Sequence, residues 1–336
     1  MITLRDIARE AGVSITTVSN VINEKKCRVS KELVERIKEI IQRENYVPNL
    51  TARTLAKNSS RIIGVINHLV PKLNGGFLVD PFHNAFISGI EERVREKGYF
   101  VMVRTVEDAK GLQTIHRNWN LDGLILTGLF KDDFLESVIN LEIPFALIDS
   151  YVDQPDVYNV GLEDMQGGYL ATKYLIEHGH RVIAFASPPV KPNGVIDQRL
   201  QGYKKALEEY DLSFNPDLVF QGEITIPEGI KLGIRLGQRP DITAVFANAD
   251  ILAAGIISGL QEIGLSVPKD KSIVGFDDNY LSLITSPRLT TIHQNAEEKG
   301  AIATEMIFAQ INKDESQIHN VILPVSLIER DSVRRI

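Results

Sequence analysis

Residues 3–23 read TLRDIAREAGVSITTVSNVIN, and this stretch decides the fold of the first part of the 336-residue chain. Thr3 precedes an apolar-periodic segment, and Asp6 lies three residues further on, at the spacing of a helix capping box. Gly12 is placed to end this helix, because glycine adopts a left-handed backbone without strain. Ser14 can then cap a second helix. Two short helices joined by such a tight turn predict a helix-turn-helix.

A third helix, beginning at Ser30, is predicted to close a small core over the first two, since its apolar residues recur on one face. The residues that can form this core are Ile7, Ala8, Ala11, Val18, Val21, Ile22, Leu33, Ile37 and Tyr46. The second helix then exposes small side chains that suit base edges and phosphates, namely Ile15, Thr16, Thr17, Ser19 and Asn20. This pattern favours DNA binding, although polar residues on a short helix can also be merely solvated.

The next segment predicts a helix that is too short to be stable alone. Pro48 ends the third helix, because a proline disfavours helical backbone at the residue before it. Asn49 can cap a helix over residues 50–57, which is shorter than the about 12–15 residues needed for marginal stability in water. This helix is predicted to form only when something packs against it, and such conditional stability would make it a switch.

Charge is unevenly distributed along the chain. Residues 1–60 hold 11 Lys and Arg against 7 Asp and Glu, a net charge of +4, whereas the other residues hold 26 against 37, a net charge of −11. A positive head on an acidic body indicates that only the head meets a polyanion, although chance clustering is the alternative. The single cysteine, Cys27, excludes an internal disulfide and a zinc site of several thiolates. With no apolar run near the about 18 residues of a membrane span, and no signal peptide, a cytoplasmic protein is expected.

From Arg61 onward, short apolar runs alternate with amphipathic helical stretches. Buried strands are predicted at residues 62–66, 99–103, 121–126, 144–148, 182–186, 218–220, 244–246 and 272–276. Helices are predicted near residues 84–97, 108–118, 131–141, 163–178, 197–210, 227–237 and 250–264. This alternation predicts doubly wound parallel sheets, and because the stretch is too long for one core, two α/β subdomains are expected.

Several polar residues follow predicted strands, where ligands bind in open α/β sheets. Asp149 and Asp277 come directly after such strands. Asp250 also follows one, but it reads more readily as the N-cap of the next helix. Arg199, near the start of a helix, can offer a planar pair of hydrogen-bond donors, and Phe82 can supply an apolar wall.

Two motifs of the head are highly specific in combination, TLRDIAREAGVSITTVSNVIN at residues 3–23 and YVPNLTARTLA at 46–56. Six motifs of the body accompany them: IIGVI (62–66), DGLILTG (122–128), LIEHGHRVIAF (175–185), AVFANADILAAG (244–255), SIVGFDD (272–278) and LTTIHQ (289–294). By these motifs the whole chain resembles the lactose-repressor (LacI-type) family of transcription regulators. The resemblance implies a homodimer that reads a pseudo-palindromic DNA operator.

The resemblance also implies DNA-contact roles. The bases would be read by Ile15, Thr16 and Asn20. Phosphates or neighbouring backbone would be held by Ser14, Thr17 and Ser19. Leu55 would be an apolar wedge in the minor groove, and further contacts would come from Thr3, Asn49, Ala52 and Arg53. Many members have arginine where this chain has Asn20, and since arginine favours guanine and asparagine favours adenine, that base of the operator is open.

For the body, the resemblance implies a periplasmic-binding-protein-like pair of subdomains with a small-molecule effector between them. The implied domains are a helix-turn-helix domain (1–48), a hinge helix and linker (49–60) and an effector-binding and dimerisation domain (61–336). The last would divide into an N-subdomain (about 61–162 and 292–321) and a C-subdomain (about 163–291 and 322–336). The cleft would be lined by Phe82, Asp149, Arg199 and Asp277. The carboxylates and arginine suit the vicinal hydroxyls of a sugar, most often an inducer, but Ile224 stands where several sugar-binding relatives have an aromatic residue.

Enzymatic motifs are absent from the sequence. It contains no GxxxxGK[ST], no GxGxxG after residues 62–66, no GxSxG and no HExxH, so no catalytic residue and no cofactor is expected. His178 and His180 form only a weak metal signal, which the turn at Gly179 explains structurally. Three rival functions stay open at this point: a solute-binding protein, an α/β enzyme acting in the cleft, and a DNA-architectural protein without a ligand.

Overall fold

The computed structural model describes residues 2–22, 29–46, 59–68, 77–129, 133–152, 154, 157–314, 316 and 318–336. Its contacts divide the chain into two compact units, residues 1–60 and 61–336. We call the first unit the head and the second the body. The small all-α head and the α/β body are the fold class that the sequence predicts.

The described part of the head contains three helices, α1 (Leu4–Ala11), α2 (Ile15–Ile22) and α3 (Lys31–Arg43). The predicted capping box is present, since the Thr3 side chain accepts from the backbone of Asp6 and the Asp6 side chain accepts from the backbone of Thr3. Gly12 ends α1 with φ of 72°, and Ser30 caps α3 through a hydrogen bond from the backbone of Leu33. Local sequence therefore fixes both ends of α1 and the start of α3.

The three helices bury one small apolar core. Its buried members are Ile7, Ala8, Ala11, Val18, Val21, Ile37 and Ile40. Ile22, Leu33 and Tyr46 pack partly buried against them. The predicted core is confirmed, and Ile40 joins it.

The body contains two sheets of six strands each. The first is built from β1 (Ile62–Asn67), β2 (Phe100–Thr105), β3 (Gly123–Thr127), β4 (Phe145–Ile148), β5 (Asn159–Leu162) and β11 (Asn320–Leu323), in the order β2-β1-β3-β4-β5-β11. The second is built from β6 (Ile183–Ser187), β7 (Val219–Gln221), β8 (Ala244–Ala247), β9 (Ser272–Asp277), β10 (Thr290–His293) and β12 (Ser326–Ile328), in the order β7-β6-β8-β9-β10-β12. All pairings are parallel except that of β10 with β12.

Both sheets therefore have the same doubly wound order, which reverses beside the first strand of each. The central strands are buried along their whole length, as in residues 123–127 and 183–187, because helices cover both faces. The described helices of the body are α4 (Pro81–Glu96), α5 (Ala109–Trp119), α6 (Asp133–Ile139), α7 (Asp164–Glu177), α8 (Val195–Glu209), α9 (Ile226–Gly237), α10 (Asp250–Glu262), α11 (Tyr280–Ile284) and α12 (Ala296–Asn312).

The chain passes between the two sheets three times, after β5, after β10 and after β11. We call the part around the first sheet, with α12 packed on α4 and β4, the N-lobe, and the part around the second sheet the C-lobe. Strands β10 and β11 end at residues 293 and 323, two residues beyond the crossings expected near 291 and 321. Pairing with neighbouring strands sets these ends, and periodicity along the chain does not encode that pairing.

Four strands (β5, β10, β11 and β12) and the helices α11 and α12 were not among the predicted elements. Each of these strands has only three or four residues and begins with a polar residue, so no apolar run marks it in the sequence. Among the described residues, no helix is both long and apolar enough to cross a membrane.

Candidate functional site

The four residues predicted to line the cleft lie at the carboxyl ends of the two sheets. Phe82 is in the first turn of α4, after β1, and Asp149 directly follows β4. Arg199 lies on α8, after β6, and Asp277 is the last residue of β9. Since both sheets present this edge to the same region, two residues come from each lobe.

Arg199 is the centre of the C-lobe half of the site and is 6% exposed. Its Nε donates to Oδ1 of Asp164 over 2.8 Å, and its Nη1 donates to the carbonyl oxygen of Asn248 over 2.8 Å. The guanidinium carbon lies 3.4 Å from the ring centroid of Phe276, a close cation–π contact. The Tyr151 hydroxyl donates to Oδ2 of Asp164 over 2.6 Å, so both carboxylate oxygens of Asp164 are engaged.

Asp149 is the centre of the N-lobe half. Both of its carboxylate oxygens accept from Nζ of Lys299, over 2.7 and 2.8 Å, and this lysine is fully buried. The same Nζ donates to Oε1 of Gln294 over 3.1 Å, and Nε2 of Gln294 donates to Oδ1 of Asp277 over 2.7 Å. The ammonium also lies 5.3 Å from the ring centroid of Phe82. This hydrogen-bonded chain joins the N-lobe to the C-lobe.

Sequence reasoning missed five residues of this network, Tyr151, Asp164, Asn248, Gln294 and Lys299. Asn248 could have been found, because it lies just beyond the predicted strand at residues 244–246; Asp164 lies just beyond β5, a strand that was not predicted. Lys299 gave no signal, since it follows two glutamates on a helix and looks like part of a solvated charged face. Its partner Asp149 lies 150 positions earlier in the chain.

Burial alters the ionisation of the acidic groups of the site. The pKa of Asp277 is raised well above its usual range by burial and by the neighbouring charges of Asp250 and Asp80. Burial also raises the pKa of Asp149, and the adjacent ammonium of Lys299 opposes that rise. Each of these carboxyl groups therefore resists carrying an unpaired negative charge.

Asp250 is not the helix N-cap that the sequence favours, because Ala249 occupies that position. The Asp250 carboxylate instead accepts from Oγ1 of Thr291 over 2.6 Å and from the backbone of Asn279 over 2.9 Å. It is completely buried, and burial raises its pKa to about 7. This residue ties α10 to β10 and to the start of α11, which is a structural role.

On the described part of the head, most of the predicted DNA-contact residues lie on α2 or directly before it. Ile15 is 43% exposed although it is apolar, and Thr16 beside it is exposed as well. The hydroxyl of Ser14 hydrogen bonds to that of Thr17 over 2.9 Å, and it accepts from the Thr17 backbone over 3.1 Å. Ser19 and Asn20 are half-buried, and the Thr3 hydroxyl donates to the Asp6 carboxylate over 2.6 Å. The other predicted contacts, Asn49, Ala52, Arg53 and Leu55, lie outside the described residues.

Comparison with known proteins agrees with this division into head and body. Residues 3–49 match the model of bacterial regulatory proteins of the lacI family, and residues 172–333 match that of a periplasmic binding protein-like domain. The chain is 33% identical to the transcriptional repressor PurR of Pasteurella multocida and 34% identical to the ribose operon repressor of Haemophilus influenzae, with 99% of each chain covered. The chain belongs to the LacI family.

Solved structures of LacI-family regulators share the fold along the whole chain. The Lac repressor dimer bound to operator and an anti-inducer has a TM-score of 0.85 at 27% identity, covering 99% of both chains. A CelR–cellobiose complex has a TM-score of 0.72 at 27% identity, covering 99% of this chain and 100% of that chain. The named relatives are transcriptional repressors rather than enzymes.

Two residues of this LacI-family chain bear on which ligands it can bind, His180 and Ile224. His180 is held by Oγ1 of Thr243 and the carbonyl oxygen of Arg334, and no group of three or more potential metal ligands occurs among the residues described. Ile224 packs partly buried against the C-lobe core. The hydrogen bonds of His180 make it part of the packing of the turn.

Proposed function

We propose that this chain is a sequence-specific repressor whose affinity for operator DNA is controlled by a small molecule bound between the lobes. The observation that carries the proposal is the buried polar network at the carboxyl ends of both sheets. Hydrogen bonds through Gln294 and Lys299 join Asp277 of the C-lobe to Asp149 of the N-lobe. A second set joins Arg199 of the C-lobe, through Asp164, to Tyr151 of the N-lobe. A ligand that contacts both halves binds one arrangement of the lobes better than another, which is the physical requirement for coupling.

On the DNA side, we propose that the head reads one half of a pseudo-palindromic operator through α2. The exposed Ile15 and Thr16, together with Asn20, would contact base edges, and Ser14, Thr17 and Ser19 would fix the helix against phosphates and neighbouring backbone. Thr3, which caps the start of α1, would add a contact to the same polyanion. A protein with this task works in the cytoplasm.

The last residues of the head, 49–60, are proposed to form the switch. Asn49, Ala52, Arg53 and Leu55 would contact DNA, with Leu55 as the apolar wedge in the minor groove. A helix of residues 50–57 gains too little from its own hydrogen bonds to persist without packing. Two such helices from the two subunits of a homodimer would stabilise each other on the operator.

The dimer itself is proposed from the body. Tyr280, Leu283 and Ile284 of the short helix α11 are 59%, 56% and 70% exposed, an unusual concentration of apolar surface. The relative solved with its operator is named as a dimer. Dimerisation through the body would fix the spacing of the two heads on the DNA.

For the ligand we propose a sugar that acts as an inducer. Paired carboxylates and a guanidinium suit vicinal hydroxyl groups, and relatives are named for cellobiose and ribose: a CelR–cellobiose complex, a ribose operon repressor, and a regulator from Enterococcus faecium with bound ribose. Ile224 offers no aromatic face, so Phe82 would supply the apolar wall. A non-sugar corepressor is the competing form of the same function.

The test is a thermal-shift screen of the full chain against sugars and nucleosides, followed by operator binding with each hit. A sugar that raises the melting temperature and weakens operator binding, measured by fluorescence anisotropy, supports the proposal; coupling of about 1–3 kcal/mol corresponds to a change of about 5–150-fold. A nucleoside that strengthens operator binding would establish the corepressor form. Turnover of the hit would instead indicate an enzyme.

The reading of DNA is tested separately at Asn20. Replacing Asn20 by Arg is expected to change the preferred base at one symmetric position of the operator toward guanine, because the arginine fork matches guanine and the asparagine amide matches adenine. Operator selection from a randomised library measures this, with the parent as control. Recovery of the same half-site for both proteins would contradict the role of Asn20.

A further inference from the structure

The ammonium of Lys299 has no donor left for a ligand. An ammonium has three N–H donors, and three acceptor atoms surround this one: Oδ1 and Oδ2 of Asp149 and Oε1 of Gln294. Lys299 is fully buried, whereas the Asp149 side chain is 17% exposed. A ligand in the cleft therefore meets the carboxylate, with the lysine charge held behind it.

Lys299 also fixes the direction of the Gln294 amide. Because the amide oxygen faces the ammonium, the amide nitrogen faces Asp277, to which it donates over 2.7 Å. The other carboxylate oxygen of Asp277 takes part in none of the hydrogen bonds identified for this residue in the described chain. The lysine thus sets the hydrogen-bonding pattern on the walls of both lobes.

Neither cation of the site lacks a carboxylate partner when no ligand is bound. Asp149, Asp164 and Asp277 stand against Lys299 and Arg199, three carboxyl groups against two cations. Arg199 is paired with Asp164, and it keeps further N–H groups that a neutral hydroxyl can use as an acceptor. An anionic ligand would have to take a cation away from a buried carboxylate, and leaving a buried charge unpaired is strongly unfavourable.

We propose that Lys299 is a specificity-determining residue that restricts the cleft to uncharged polyhydroxylated ligands and excludes their phosphate esters and acids. This inference rests on the proposed function of the cleft as the effector site, and it narrows the ligand to the unphosphorylated class. Lys299 acts by occupying Asp149 and orienting Gln294, so it is a positioning residue and makes no direct contact with the ligand.

The first experiment uses calorimetric titration of the full chain with matched pairs: D-ribose, D-glucose, D-galactose, cellobiose and maltose, each beside its monophosphate ester. The parent is expected to bind at least one of the neutral sugars. It is expected to bind the phosphate ester of that sugar about 100-fold or more weakly, because the ester would break a buried ion pair. Equal or tighter binding of the ester overturns this inference and leaves the effector site standing. Binding of no neutral sugar and no ester overturns the sugar proposal and this inference together.

The second experiment does not depend on the identity of the sugar. Asp149→Asn removes the negative charge and leaves Lys299 as an unpaired buried cation, so binding of inorganic phosphate is expected to rise by about tenfold or more over the parent. The double variant Asp149→Asn, Lys299→Met is expected to lose that gain. A purely structural role for Lys299 predicts the same weak phosphate binding in all three proteins, and that result overturns the inference.

A matched control separates this effect from the general loss of a carboxylate. Arg288 and Asp331 form an ion pair of 2.8 Å whose side chains are more than half exposed. Asp331→Asn makes the same chemical change outside the cleft and is expected to leave phosphate binding at the parent level. Circular dichroism and thermal unfolding of each variant show that it is folded before it is titrated.

Discussion

At the scale of single residues, the environment of a charged pair decides what the pair contributes. Arg199 and Asp164 have side chains that are 8% and 0% exposed, whereas those of Arg288 and Asp331 are 61% and 54% exposed, and the two N–O distances are both 2.8 Å. Solvent screens the exposed pair, but removing one member of the buried pair leaves a charge without hydration. Two ion pairs with the same N–O distance therefore contribute differently to the stability of the protein.

We therefore expect Asp164→Asn to lower the free energy of unfolding by about 3 kcal/mol or more, since Arg199 keeps its charge and loses its carboxylate. Asp331→Asn is expected to cost at most about 1 kcal/mol. Urea unfolding followed by circular dichroism measures both. Equal losses in the two variants would show that burial of the Arg199 pair carries no special cost.

His180 shows a second effect of burial. The imidazole is completely buried, and burial lowers its pKa to about 4 from an ordinary value of 6.5. Between about pH 4 and pH 6.5, the ring is thus neutral in the folded state and protonated in the unfolded chain. This contribution to stability is fully present above pH 6.5 and is lost as the pH falls toward 4. Asp250 depends on pH in the opposite direction, because burial raises its pKa. Its contribution to stability is lost as the pH rises from about 4 to about 7.

Comparison with His180→Gln isolates the histidine, because both proteins keep Asp250. The parent's advantage in free energy of unfolding over the variant is expected to shrink by about 2 kcal/mol between pH 7 and pH 4.5. Urea titrations at the two pH values measure this difference. An advantage that does not change with pH would show that His180 titrates normally in the folded protein.

At the scale of elements, the site depends on how closely two helices approach. Gly168 of α7 and Gly202 of α8 lie at their contact, and a Cβ atom at Gly168 would collide with the backbone carbonyl of Arg199. A Cβ atom at Gly202 would likewise collide with the carbonyl of Met165. The two glycines allow the close packing that holds Asp164, at the start of α7, within hydrogen-bonding distance of Arg199 on α8.

Gly168→Ala is expected to separate α7 from α8 and to lower the free energy of unfolding by about 1–3 kcal/mol through overpacking. Ligand affinity is expected to fall with it, because Arg199 moves relative to Asp164. Urea unfolding and calorimetric titration with the sugar identified by screening measure the two effects. Gln201→Ala, at an exposed position of α8, is the control. If Gly168→Ala behaved like this control, the close contact between α7 and α8 would be contradicted.

At the scale of the whole molecule, two sheets of equal topology present their carboxyl edges to a shared site. The hydrogen-bonded chain from Asp277 through Gln294 and Lys299 to Asp149 begins on the C-lobe sheet and ends on the N-lobe. The polypeptide passes between the lobes three times, and a hinge motion of the lobes would have to occur at these connections. A ligand that engages both ends of the network would thus alter the arrangement of the lobes.

Asp277→Ala is expected to reduce the ligand-dependent change in operator affinity to less than about a tenth of the parent's, because the C-lobe end of the network is lost. Asp277 has φ of 112°, which alanine tolerates poorly, so Asp277→Asn is the companion variant that suits this backbone better. Fluorescence anisotropy with labelled operator, with and without the sugar, measures the response. A parent-like response in both variants would remove Asp277 from the site.

The sequence alone predicts those parts of the fold that are encoded over a few residues. The capping box of Thr3 and Asp6, the left-handed Gly12 and the small core of the head are confirmed. The long buried strands were predicted too, because four to six consecutive apolar residues are visible without knowing their partners. The short β10, β11 and β12 and the helix α12 were missed, since their patterns depend on pairing and packing with distant elements.

For the candidate site, the sequence and its family resemblance supplied Asp149, Arg199, Asp277 and Phe82, because polar or apolar residues near strand ends are recognisable locally. Only the tertiary structure decided that Lys299 pairs with Asp149, that Asp164 pairs with Arg199, and that Gln294 links the lobes. The reason is physical. Caps, turns and apolar periodicity act between residues that are near in the chain, whereas the charge of a buried group is balanced by whichever side chain the fold brings within about 3 Å, however distant it is in sequence.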